Sequence, residues 1–118
     1  MIIDAHVHFF PDKIAARAVD KLAQVSGLTP CTDGTLAGAA ARMEASGVSR
    51  AVLLSIATAP KQQEDINKNA VSLLKDKRFI PLGSVHCLSP PWRDQLIMLK
   101  ESGGKGIKLH PDYQGFMI

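Results

Sequence analysis

Two histidines one residue apart can lean onto a single divalent ion when a strand presents them. His6 and His8 have this spacing within the opening ten residues, Met1 to Phe10. Ile2 to Val7 are largely apolar, and several are β-branched, which predicts a buried strand. Side chains alternate along a strand, so His6 and His8 share a face, with Cα atoms about 7 Å apart. Asp4 falls below them on that face, and Ile3, Ala5 and Val7 take the other. Imidazole nitrogen is a common ligand for zinc and related ions. Pro11 cannot extend a ladder, so the strand stops just after the pair. That puts both histidines at the C-terminal end of a strand, where α/β folds gather their ligands. The plain alternative is two polar residues on a wet strand face.

Three further residues extend the pattern. His86 follows a predicted strand over residues 78–85, and Lys108 and His110 share one face of another over 105–109. All four histidines would then collect at strand ends on one rim. Taken singly, His86 reads first as a loop histidine bonded to backbone, His110 before Pro111 as a common turn residue, and Lys108 as a side chain snorkelling to the surface.

The elements that must position these residues follow from periodicity and punctuation. A helix is predicted over residues 12–26, with Asp12 as its cap, Ile14, Ala18, Leu22 and Val25 on its apolar stripe, and Gly27 at its end. Thr35 can cap a second helix over 36–46, closed by Gly47. Residues 50–56 form a near-continuous apolar run, the mark of a strand covered on both faces. A helix over 62–75 carries Ile66, Ala70, Leu73 and Leu74 inward. Pro81 sits awkwardly inside the third strand. Pro90 and Pro91 open a helix over 92–102, with Leu96, Met98 and Leu99 buried. The rhythm β-α-α-β-α-β-α-β calls for a parallel sheet with right-handed crossovers.

Composition narrows the function classes. The 118 residues are 46% hydrophobic and 21% charged, as in an ordinary soluble domain. The net charge of +3 comes from scattered lysines and arginines, with no basic run to bind nucleic acid. Cys31 and Cys87 have no zinc-knuckle spacing and imply no disulfide framework, so a reducing, cytoplasmic setting is expected. No apolar run approaches the roughly 20 residues of a membrane span, and no signal peptide is evident.

Three segments carry a resemblance: Ile3 to His8, Gly83 to His86, and Lys105 to Pro111. Together they resemble the N-terminal half of the amidohydrolase superfamily. The nearest branch is the amidohydrolase-2 group, related to amino-carboxymuconate-semialdehyde decarboxylase. The resemblance implies an α/β fold: four parallel strands with helices, the N-terminal half of a TIM-type (β/α)8 barrel. Residues 1–118 would be one partial barrel domain, truncated after the fourth strand. It implies His6 and His8 as ligands of a divalent metal, zinc first and manganese second. His110, His86 and Lys108 would contact substrate or add a ligand. In some branches a carbamylated lysine bridges metals, and Lys108 lies one strand step deeper than His110. The family's further histidines and its metal-bound aspartate come from later strands, and a full barrel needs about 250 residues. Asp112 is the nearest carboxylate to His110 in sequence, and it reads first as a turn residue.

The implied activity is hydrolysis of a C–N or C–O bond, or decarboxylation, of a small molecule by metal-activated water, with an incomplete ligand set in this chain. Two readings stand beside it. One is a non-catalytic, self-associating half-barrel with vestigial histidines, a second copy covering the open sheet edges. The other is a doubly wound binding domain, against which the stretch from His8 to Asp12 offers no glycine-rich phosphate loop.

Overall fold

Strands β1 (Ile3–Val7), β2 (Arg50–Leu54) and β3 (Phe79–Leu82) form one parallel sheet in the order β1-β2-β3. Helices α1 (Asp12–Ser26) and α2 (Leu36–Ala45) connect the first two strands. A short 3-10 turn (Pro60–Gln62) and α3 (Gln63–Leu73) connect the second and third. Helices α4 (Trp92–Glu101) and α5 (Pro111–Gln114) follow. These elements come from a computed structural model that describes residues 1–117.

Local chemistry explains several boundaries. Gly27 ends α1 in the left-handed region at φ 69°, and its amide bonds Ala23 O. Pro11 precedes α1, so Asp12 is its first residue rather than its cap. Thr35 caps α2 as its type predicts, with Oγ1 accepting the Gly38 amide at 2.9 Å.

The expected fourth strand does not form, which overturns the four-stranded half-barrel. Residues 105–109 meet β3 through one isolated bridge, Gly83 with Ile107. Two bonds make it, Gly83 N–H to Gly106 O at 3.1 Å and Lys108 N–H to Gly83 O at 2.7 Å. Three residues stop it from growing into a ladder. Alternation turns Pro81 toward the same side as Gly83, and proline has no N–H to donate there. Beyond the bridge, Ser84 Oγ takes Lys108 O at 2.9 Å. Then the Gln114 side chain enters between the segments. Its Oε1 accepts the His110 amide at 2.8 Å, and its Nε2 donates to Val85 O at 2.7 Å and to Ala57 O at 3.0 Å. Groups that a fourth strand would pair with β3 are bonded to an amide side chain instead.

The main apolar cluster lies on one face of the sheet. Met43, Ala51, Leu53 and Phe79 are buried together, and Val7, Phe9, Leu36, Ala40, Val48 and Leu73 pack against them. The expected burial of the first strand fails. β1 is an edge strand, and Ile2 and Ile3 are 57% and 43% exposed. Helix α1 also leaves Ile14, Leu22 and Val25 exposed, with only Ala15 buried.

Polar side chains fill the space between α3 and the end of β3. Gln63, Asn67 and Ala70 are the buried face of α3. Asn67 Oδ1 accepts the Ser84 amide at 2.8 Å, and its Nδ2 donates to Gln95 Oε1 at 3.0 Å. Ser84 Oγ also accepts the Ala57 amide at 3.0 Å. Gly83 is wedged here: an added Cβ would overlap Leu99 Cδ1 and lie 2.8 Å from Asn67 Oδ1. Gly83→Ala is therefore expected to destabilise the chain by about 1–3 kcal/mol in urea unfolding, the usual cost of overpacking. An unchanged midpoint would show that Leu99 moves aside freely.

Candidate metal centre

The histidine pair sits on an irregularity of β1. Asp4 pairs with Ala51 and Val7 with Leu53, so β1 advances three residues while β2 advances two. One extra residue is accommodated between Asp4 and Val7, a β-bulge. The bulge resets the alternation of the strand. Asp4 is in register with Ala51 on the core face, and beyond the bulge Val7 occupies that face opposite Leu53. His6 and His8 therefore take the opposite face. The expectation that Asp4 lies below them on their own face is corrected accordingly. Asp4 instead turns back on the strand, and its Oδ1 accepts the His6 amide at 3.0 Å.

The two rings converge. His6 Nε2 and His8 Nε2 are 3.0 Å apart, and the ring planes meet at 65°. His8 Nδ1 lies 2.8 Å from Leu54 O. A carbonyl only accepts, so Nδ1 carries the proton and the Nε2 lone pair accepts from His6 Nε2–H, a bond that an incoming ion would replace. The His8 pKa is pushed below the ordinary imidazole value. Lost hydration around the ring is the largest cause; the Leu54 bond opposes it, and the charges of His6, Lys108 and His110 add to it.

This arrangement fits a metal ion as far as it goes. Two nitrogens about 2.0–2.1 Å from one ion lie about 2.9–3.4 Å apart between right-angle and tetrahedral geometry. The observed 3.0 Å falls in that range. The Nδ1–H bond to a backbone carbonyl is the outer contact that fixes a metal-binding imidazole. Among the described residues, no cluster of three or more His, Cys, Asp or Glu side chains could hold an ion. Among the described residues the pair offers two nitrogens, one fewer than the three protein ligands of an ordinary catalytic zinc centre.

Beside the pair runs an open cleft of about 520 Å³. Val19 and Leu22 of α1, Leu28 and Cys31 of the following loop, and Arg42 and Met43 of α2 line it with His6 and His8. Its volume is in the range of small-molecule sites.

The other sequence-predicted residues divide. His86 is buried at 4% exposure in a turn of its own. Its amide donates to Gln63 Oε1 at 2.6 Å, and its Nδ1 accepts the Leu88 amide at 3.2 Å. His86→Ala is expected to leave zinc affinity unchanged in equilibrium dialysis; a drop would bring the residue into the centre. His110 caps α5, its Nδ1 accepting the Tyr113 amide at 3.5 Å. Its ring stacks on Tyr113 at 4.2 Å. That bond leaves Nε2 with the ring proton when His110 is neutral, so the ring offers a donor rather than a lone pair. Lys108 is half-buried, and its backbone makes the bridge to Gly83. Asp112 lies in the first turn of α5 and is exposed.

Sequence reasoning passed over Gln114, Asn67 and Gln63. None belongs to a metal or nucleophile motif, and their signal is long-range hydrogen bonding. Gln63 Nε2 is buried without a partner among the described residues. No family model, curated protein or solved structure matches the chain. Among the described residues, no helix is long and apolar enough to cross a membrane.

Proposed function

We propose that this chain is an amidohydrolase-like protein that holds a divalent ion, zinc or manganese, on His6 and His8 and acts on a small molecule. The observation that carries the reading is the convergence of two Nε2 atoms at 3.0 Å, with His8 held in the metal-ready tautomer by Leu54 O. When bound, such an ion lowers the pKa of a coordinated water and polarises a carbonyl or carboxylate. The protein's part is to orient the two imidazoles and to give the substrate room in the neighbouring cleft. Lys108 and His110, whose charges act on His8 although neither lines that cleft, would offer positive charge and an N–H donor to an anionic or carbonyl oxygen of a substrate held at the ion. With two ligands from the chain, remaining positions fall to water, substrate or a second polypeptide. A reducing, cytoplasmic setting belongs to the same proposal, and the free, exposed thiols of Cys31 and Cys87 are compatible with it.

The deciding experiment is elemental analysis of protein purified without chelator, beside the His6→Ala/His8→Ala double variant. About one zinc or manganese per chain in the wild type, lost in the variant, supports the reading. Equal metal in both, or none in either, overturns it. The bare β1 edge with exposed Met1, Ile2 and Ile3 favours a second reading: a non-catalytic chain that self-associates along that edge. That reading expects the double variant to keep the same oligomeric mass and stability, with no metal in either protein.

A further inference from the structure

We infer that Asp4 is a positioning residue for the histidine pair, its carboxylate holding the bulge that takes both rings off the core face. The inference rests on the metal-site reading for its purpose, and on the metal-free geometry for its evidence.

The geometry is specific. In an unbroken strand in register with β2, Asp4, His6 and His8 would share one face, because alternation has a period of two. Asp4 is in register with Ala51, on the side where Leu53 and Phe79 are buried. Without the bulge, His6 would stand opposite Leu53, and His8 would follow on the same apolar side. Val7 would then leave its place against the core. The extra residue between Asp4 and Val7 reverses this assignment. A bulge withdraws a backbone amide from the ladder and leaves it to a side chain or to water. Asp4 Oδ1 receives the His6 N–H at 3.0 Å, across two residues. Aspartate is suited to the task, since its short side chain readily reaches the amide two residues on. The same contact fixes the backbone of His6, which has no other side-chain anchor comparable to the Leu54 bond of His8. His8 is thus anchored to the backbone through its ring, and His6 through its main chain and, by way of His8, through its ring.

The test compares wild type, Asp4→Asn and Asp4→Ala, using Co²⁺ as the probe and NMR of the metal-free protein. Asparagine retains a side-chain oxygen that can accept the amide; alanine does not. Asp4→Asn is expected to keep the ring-to-ring contacts of His6 and His8, the low-field His6 amide shift, and Co²⁺ affinity close to wild type. Asp4→Ala is expected to lose the shift and the ring contacts and to bind Co²⁺ about 10-fold or more weakly, as when an outer contact to a ligand is removed. Its thermal midpoint should move little, because the His6 amide is exposed to water. Wild-type ring contacts in Asp4→Ala would overturn the inference, showing that Val7 packing alone sets the bulge. Should the wild type bind no Co²⁺ while the NMR differences appear, the metal-site reading fails and the positioning role of Asp4 stands.

Discussion

Gln114→Leu is expected to lower the stability of the chain by about 2–4 kcal/mol, a large share of the 5–15 kcal/mol that holds a typical domain. The leucine fills similar space and makes none of the three bonds. Ala57 O, Val85 O and the His110 amide all lose a partner. The cost of such a change is mostly desolvation left uncompensated, since Gln114 is 5% exposed. Gln114→Glu is expected to be worse. Its carboxylate can still accept from His110, but it would face two carbonyl oxygens with no proton between them. Urea unfolding of the three proteins checks both statements. A change for Gln114→Leu within the roughly 0.5 kcal/mol scatter of surface substitutions would refute the clamp.

The second large effect concerns the histidine pair proposed to hold the ion. His8→Ala is expected to reduce zinc affinity by about 100-fold, or ~2.7 kcal/mol. A site of two nitrogens becomes a site of one, and the nitrogen lost is the one already committed to the right tautomer by Leu54 O. His6→Ala should cost a similar amount, because either imidazole alone is a single point of attachment. Equilibrium dialysis with zinc at constant pH reads both variants. If His8→Ala bound as tightly as wild type, the ion would sit elsewhere on the chain.

The local parts of this fold were legible in the sequence because their causes are local. Gly27 needs only its own left-handed conformation to end α1, and Thr35 reaches an amide three residues on. The His6 and His8 pairing was likewise readable from two-residue alternation. What failed depended on distant partners. Residues 105–109 have strand-like composition, but Ser84 and Gln114 take the groups a ladder would use. Pro81 gave a local warning whose importance depended on which neighbour its missing N–H faced. On α3 the apolar period favoured Ile66, Ala70, Leu73 and Leu74; Ala70 is buried, but the other two buried positions are Gln63 and Asn67. Amides can line an interior when backbone groups await them, and hydrophobic periodicity does not register that. The bulge had a short-range trace in the Asp4-to-His6 spacing, but strict alternation concealed its effect on the faces.

The single bridge between Gly83 and Ile107 bears on the order in which the molecule assembles. β2 has a strand on each side, whereas residues 105–117 are tied in by that bridge, the Ser84 hydroxyl and the Gln114 amide. The bond from Gln114 to Ala57 spans 57 residues of chain, so loop-closure entropy opposes it until the sheet is in place. Residues 105–117 are therefore expected to dock last and release first, and in hydrogen exchange their amides are expected to behave as a low-stability cooperative unit, separate from the strand that the sheet encloses. His110 and Lys108, whose charges reach His8, belong to that unit, so the field around the histidine pair is expected to change each time these residues open.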